Sequence, residues 1–487
     1  MATTDNIGKA SGNPSLVGRK SIDNISTSSS TQTVPCYVNN NSKNGKIESE
    51  NNDDKVLIET TADAIMNEHH FLTLEESKET LVYQKGVYVT GGDILIEKLS
   101  EEKLGYKLKN HSLSEIKGHI KRRTYKSIKE LDKDINIINL QNGLYDINKN
   151  ELKPHSPSYY SINQKPISYN PTAKPKLFGM FLSQVLYDHD VRTAIEIMSY
   201  TFYRDCPFEH FFKLHGYGAN GKSVFTGLLT KIHGEKNASN VSFLSLISDK
   251  FALADLEFKD INIDTELSNA TIKDTSMLKK LTGGRKQPIR IERKFQHPYD
   301  TYLYAKLFFN ANIITDTVDK TNAFYRRQII ISFPNTFEGK DDDPHLLDKL
   351  TTKEEISAIF NVLMHALRNL LKNKGIYLNE KTVEERRLKH EMAVHPVKSF
   401  IDEAIEEDSI ETDYVAKSDM YGAYLLFCKK HSLAPKSIVV LGKEIKKMEI
   451  AEGREGRGER RTCWLGKRLK PEYRPIAYEQ QSVTSYI

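Results

Sequence analysis

One octapeptide constrains the fold more than anything else in the chain. Gly216-Tyr217-Gly218-Ala219-Asn220-Gly221-Lys222-Ser223 fits GxxxxGK[ST] throughout. An apolar FFKLH precedes it, and Val224, Phe225, Leu228, Leu229 and Ile232 recur behind it at helical spacing, so the segment reads strand–loop–helix. Glycines at such a turn let backbone N–H groups converge on phosphate oxygens where a helix N-terminus adds positive potential. The candidate nucleotide contacts are Gly216, Gly218, Ala219, Asn220, Gly221, Lys222, Ser223 and Val224. Lys222 would reach the β- and γ-phosphates, and the Ser223 hydroxyl would ligate Mg²⁺, although the loop alone does not separate kinase, ATPase motor and GTPase. The apolar runs FFKL, INI, AKLFF and IIISF alternate with loops and helices between about Glu209 and Pro334, which predicts an α/β domain with a helix-flanked sheet.

Further candidates follow in chain order. Ile261-Asn262-Ile263-Asp264-Thr265-Glu266 reads as a strand ending in acids, and its period of two lets Asp264 and Glu266 face one site. One carboxylate would serve the metal shell and the other the attacking water. The stretch from Leu281 to Tyr299 holds five cations (Arg285, Lys286, Arg290, Arg293, Lys294) against one acid, Glu292, with Phe295 and Tyr299 interleaved. That composition suits single-stranded nucleic acid, although taken alone it reads as a solvated charged face. Lys306–Asn312 reads as a buried strand ending in two amides, Asn310 and Asn312, and Arg326-Arg327 precede IIISF. Such an arginine pair is either a surface ion-pairing site or, in an oligomeric ATPase, a source of a finger toward a neighbour's ATP.

The remaining segments bound the organisation. Residues 1–54 are rich in Ser, Thr, Asn and Lys and are expected to form a disordered tail. LIETTADAIMNEHHF reads as a helix, LVYQKGVYV as two strands around Lys85-Gly86, and INIINLQNGLYDINKNEL as a strand and hairpin. KLFGMFLSQVL and VRTAIEIMSYTFY read as amphipathic helices. Thr352 and Glu355 suggest a capping box before a helix burying Ile356 to Leu371, and KTVEERRLKHE reads as a charged connector. Lys+Arg at 70 against Asp+Glu at 65 excludes a polybasic whole-chain binder but not a local basic patch. No apolar run approaches the ~18 residues of a spanning helix, and none resembles a signal peptide. Cys36, Cys206, Cys428 and Cys463 stand too far apart for a zinc site or disulfide framework, so reduced thiols in a cytoplasmic setting are expected.

The ordered set resembles the superfamily 3 helicases of the poxvirus and phage/plasmid primase type. It runs from INLQNGLYDINKNELKPHSP through the GANGKS loop, INIDTELSN, KKLTGG and AKLFFNAN to DKTNAFYRRQIIISFP, and covers Val56 to about Leu469. The resemblance implies a P-loop AAA+-like helicase core (176–378), a helical/mixed amino-terminal region (55–175) and a carboxy-terminal winged-helix domain (395–475). It implies ATP and Mg²⁺ as cofactors and a homo-hexameric ring that unwinds DNA for a virus, plasmid or integrated element. By position, Glu266 matches the catalytic Walker B acid, with Asp264 as a metal ligand beside Ser223. Asn312 rather than Asn310 matches the sensor, and Arg327, with Arg326 as alternative, the finger. Lys286, Arg290, Arg293 and Lys294 fall in the channel hairpin that grips single-stranded DNA.

Two departures stand out: Arg285 where relatives commonly carry Asp, and no Pro after the sensor amide. At the carboxy terminus Ser437 would cap a basic third helix, and RRTCWLGKRLK would form a wing. Between Lys443 and Arg474 eleven Lys/Arg meet six Glu, and Lys446, Lys447, Arg460 and Arg461 are the duplex-DNA candidates. No primase domain is expected, so a separate primase or replisome protein is an expected partner, and a membrane is not. The alternative function is an ATP-dependent origin-binding initiator without processive unwinding.

Overall fold

The computed structural model describes residues 44–265, 275–339, 342–379, 381–454 and 461–474, with side chains from 54 onward. The chain divides into two units, Met1–Val56 and Leu57–Ile487. Residues 1–43 of the expected tail lie outside the described residues, but 44–54 belong to helix Asn44–Glu68. Ile58, Ala62 and Ile65, buried at helical spacing, anchor the helix, and adding polar residues to an existing helix is far easier than nucleating one.

The amino-terminal region holds two four-stranded sheets. In the first, Thr80–Gln84 and Val87–Val89 form the expected hairpin, with Lys85 and Gly86 both at positive φ as a two-residue turn requires. Helices Gly92–Leu104 and Asn110–Thr124 bury Ile96, Ile116 and Ile120 against it. The second sheet comprises Ile137–Leu140, Gly143–Asp146, Glu151–Lys153 and Gln164–Lys165.

The central sheet has five parallel strands. Their spatial order is Ala238–Ser239, Ile261–Asp264 (the acid strand), Lys306–Ala311 (the amide strand), Phe211–His215 (the loop strand) and Gln328–Ser332. Because both faces are covered, these strands read as continuous apolar runs rather than alternating ones. Phe212, Leu214, Ile263 and Phe308 pack toward the loop helix Lys222–His233 and helices Asp188–Tyr200 and Lys353–Lys372. Phe211, Leu307 and Phe309 pack on the other face with Phe243, Leu278, Phe324 and Tyr325.

Two local expectations change. The Thr352 hydroxyl accepts from Glu355 N–H at 3.3 Å, but the Glu355 carboxylate does not return the bond. It accepts instead from the N–H groups of Lys176, Leu177 and Phe178 at 2.8–3.1 Å, capping helix Phe178–Val185 in place of its own. The charged connector is helix Val383–Val394, closed by a capping box between Thr382 and Glu385.

The carboxy-terminal segment orders helix Pro396–Ala404, strand Tyr414–Ala416, helices Lys417–Lys430 and Ile438–Lys447, then strands Glu452–Arg454 and Thr462–Leu465. Ser437 caps the third of these helices through Val440 N–H at 3.4 Å. Ala311 and Ile314, at the end of the amide strand, share its core.

A buried carboxylate joins three elements. Asp260, immediately before the acid strand, pairs with Lys165 Nζ from the second amino-terminal sheet. It also accepts from Asn163 Nδ2 at 3.3 Å and meets His233 Nδ1, in the last turn of the loop helix, at 3.2 Å. Burial pushes the Asp260 carboxyl up, but Lys165 and His233 more than offset this and hold it well below the usual carboxylate range. A depressed carboxyl contributes stability above its unfolded pKa of about 3.9 and loses it only as the pH falls through the lower folded value. Asp260→Ala, which strands Lys165 in the interior, is therefore expected to cost about 3–5 kcal/mol at neutral pH. Urea unfolding of the two proteins measures it, and a difference under about 1 kcal/mol contradicts the central role of this carboxylate.

Candidate active site

The loop 216–221 connects the loop strand to the loop helix as the sequence predicts. Two glycines are required by space. A Cβ on Gly216 would lie 1.9 Å from Asn220 Nδ2 and 2.9 Å from the Phe333 carbonyl, and one on Gly221 (φ +86°) 2.5 Å from Val185. Phe337 N–H fastens the loop from outside by donating to Ala219 O at 2.7 Å.

Residues 218–224 line a cleft of about 1130 Å³. Leu177, Met180, Phe181, Val185, Phe337 and Leu346 give it an apolar side, while Thr265, Asn310 and Asn312 bring polar groups from the sheet. Lys222 is 7% exposed, and its ammonium donates to Gly216 O (2.5 Å), Asn220 Oδ1 (3.1 Å) and Asn312 Oδ1 (3.4 Å). All three acceptors are neutral, and burial lowers the Lys222 pKa to about 8. Asn220 Nδ2 and Asn310 Oδ1 are buried without a partner. The site thus holds a desolvated cation and spare hydrogen-bonding groups around a loop with no room for a Cβ at 216 or 221. That donor set fits a polyanion.

The other expected residues divide. Asn312 reaches Lys222, while Asn310, the amide passed over, also lines the cleft. Of the two residues expected to hold a metal, Ser223 lines the cleft and Asp264 does not. Asp264 pairs in register with Phe309, on the face away from the loop helix, and its Oδ2 accepts from Phe243 N–H at 2.8 Å. Glu266 lies outside the described residues. Arg326 and Arg327 both meet Glu209 Oε2 at 2.5 Å, with Lys286 Nζ 3.9 Å from the same carboxylate. They sit beside Phe211, at the opposite end of the loop strand from the glycine loop. Sequence reading missed Gln184, Asp342, Asp343 and Lys349, which enter the cleft from segments with no motif of their own. Asp343 and Lys349 pair at 2.6 Å.

The basic stretch is not one hairpin. Gly284–Lys286 is a short helical turn fastened where Arg285 N–H donates to Asp205 Oδ1 at 2.8 Å. The hairpin itself is Ile289–Ile291 paired with Tyr299–Thr301. Arg290 and Lys294 face solvent, but Arg293 is bound to Glu257 Oε2 at 2.8 Å, beside Tyr299 Oη at 2.7 Å from the same oxygen. In the carboxy-terminal segment Lys446 pairs with Glu452 at 2.5 Å, whereas Lys447 and Arg461 are exposed. Arg460 lies outside the described residues.

Residues 48–187 match the family model described as D5 N terminal like. Residues 214–327, which contain the loop, match a model described as a family of unknown function, DUF5906. Among solved structures the chain is similar to "The A form apo structure of NrS-1 C terminal region-CTR" and "The apo structure of NrS-1 C terminal region (305-718)". Each match has 13% identity, covers 83% of this chain and 98% of the other, and has a TM-score of 0.42. Among the described residues no helix is long and apolar enough to cross a membrane.

The hairpin cations differ in what they hold. The Glu257 side chain is 2% exposed, so Arg293→Ala removes a charged partner from a buried carboxylate and is expected to lower the thermal midpoint clearly. Arg290→Ala and Lys294→Ala should change stability by no more than about 0.5 kcal/mol. Differential scanning fluorimetry of the three variants checks the contrast, and equal shifts would contradict it.

Proposed function

We propose that the chain is a ring-forming, ATP-driven DNA helicase of the superfamily 3 type, serving replication of a virus, plasmid or integrated element. The observation that carries this is the Lys222 ammonium, buried in a glycine loop at a helix N-terminus with only neutral acceptors around it. A desolvated cation so held is completed by an anion, and the loop N–H groups add donors for its oxygens. Lys222, the loop backbone and Ser223 would hold ATP and its Mg²⁺, with the apolar side of the cleft receiving the base. When bound, they supply a phosphoanhydride and neutralise its charge.

Within the chain, Lys222 compensates phosphate charge, Asn312 orients groups beside it, and Glu266 is assigned to the attacking water. Arg327 stands at the far end of a five-residue strand, about 17 Å from the loop at ~3.3 Å per residue, so it serves the cleft of a neighbouring subunit. Hence the ring, read as a homo-hexamer. The helix–strand–helix–helix–strand–strand order of the carboxy-terminal segment supports a winged helix at 395–475. Lys446, Lys447, Arg460 and Arg461 would then face duplex DNA. The central parallel sheet supports the AAA+-like assignment of 176–378, and the D5 N terminal-like match agrees with a helicase-associated 55–175.

ATP hydrolysis with and without single-stranded DNA tests the motor. Stimulation by DNA and displacement of an annealed strand are expected, with Lys222→Ala and Glu266→Gln losing at least about 100-fold in turnover. Mixing Lys222→Ala with Arg327→Ala protein should recover part of the activity, because an intact loop then meets an intact arginine across an interface. Unwinding by Lys222→Ala at the wild-type rate would overturn the proposal.

The Lys222 environment also fixes a pH dependence. Its free pKa is lowered to about 8 by burial, and a bound polyanion raises it again. Nucleotide affinity should be flat below that value and weaken by up to about tenfold per pH unit above it, until the pKa of the complex is reached. Binding should take up protons in that window. Calorimetry in buffers of different ionisation enthalpy measures both effects, and a constant affinity across the window would refute this role of Lys222.

A further inference from the structure

The tip of the 289–301 hairpin carries Phe295, the most exposed large apolar side chain among the described residues. Its backbone is left-handed (φ +64°), a conformation bulky residues rarely adopt. The stem beneath is rigidly tied. Ile289 and Ile291 are in the core, Arg293 and Tyr299 share Glu257 Oε2, and Glu292 pairs with Lys250 at 2.7 Å. The fold therefore holds a bare aromatic ring in water at the end of a clamped support, and no packing accounts for it.

Its surroundings narrow the occupant. Lys294 beside it and Arg290 on the stem are exposed, Gln296 and His297 complete the exposed tip, and Lys250 answers the Glu292 charge. Asp300, opposite Arg290 in register, is the remaining acid. The other aromatic of the stretch, Tyr299, is committed to Glu257. A free ring flanked by cations matches single-stranded DNA, which presents stackable bases along an anionic backbone.

We propose that Phe295 is a base-stacking contact for single-stranded DNA, with Lys294 and Arg290 meeting the adjacent phosphates. This rests on the reading of the chain as a DNA motor and adds that the hairpin engages bases as well as backbone.

Fluorescence anisotropy of the full chain with a labelled thymidine oligonucleotide, and with an abasic strand of equal length, tests it. Wild type should bind the thymidine strand at least about fivefold more tightly than the abasic one. Phe295→Ala should lose that preference, Phe295→Trp should keep it, and Phe295→Leu, apolar but without a π-face, should lose it. The side chain covers nothing, so the variants should share the wild-type thermal midpoint. Retained preference in Phe295→Ala or Phe295→Leu overturns the stacking contact while leaving DNA binding intact. Failure of wild type to bind either strand overturns the DNA-motor reading together with it.

Discussion

The architecture depends on one buried carboxylate. Asp260 stands where the acid strand begins, and its partners come from elements far apart in sequence: Lys165 from the amino-terminal region and His233 from the end of the loop helix. An uncompensated ion in the interior is costly, so the position of each partner is set by the others. The loop helix is thereby fixed at its C-terminal end, twelve residues spanning the distance back to Lys222. The backbone extends the same junction, since Asp260 N–H donates to Asn237 O and its carbonyl accepts from Lys306 N–H, both at 2.8 Å. Three neighbouring strands of the central sheet are thus registered from one point.

The two ends of the loop helix have opposite electrostatic logic. At its C-terminal end the Asp260 carboxylate is answered by the Lys165 ammonium and by a hydrogen bond with His233, whose imidazole pKa burial lowers. At its N-terminal end Lys222 is buried against carbonyl and amide oxygens alone. A fold tolerates one unanswered charge when the rest of the element is over-determined, and such sites tend to be functional. The helix is pinned at one end by a compensated buried ion pair and carries at the other a buried cation with neutral acceptors.

Strands were legible in the sequence because parallel, doubly covered strands leave continuous apolar runs, and FFKLH, INI, AKLFF and IIISF all became strands of one sheet. The loop was legible because its glycines answer local demands: Gly216 and Gly221 have no room for a Cβ. What stayed hidden was partner choice across long separations. Glu355 had the spacing of a capping box yet serves the N–H groups of Lys176 to Phe178. Arg293 looks no different from Arg290 until Glu257 is brought beside it. Asp342, Asp343 and Lys349 reach the cleft because a later segment folds back along the loop helix, which periodicity does not report. The helix from Asn44 was missed because its polar residues carry no signal of their own.

The same distinction revises the electrostatic argument. The chain's formal charge of +5 is small, and clusters of Lys and Arg offer a way to place a nucleic-acid surface despite it. The structure shows how many of those cations are already used. Arg293 answers Glu257, Lys446 answers Glu452, and Arg326 and Arg327 converge on Glu209. The exposed remainder includes Arg290, Lys294, Lys447 and Arg461. An exposed pair is screened and adds little at a distance, whereas an unanswered exposed cation keeps its whole field for a passing phosphate. A count of basic residues is therefore a ceiling on the attraction a polyanion would feel. The pairing pattern decides how much of it survives, and Arg290, Lys294, Lys447 and Arg461 are among the exposed cations that remain.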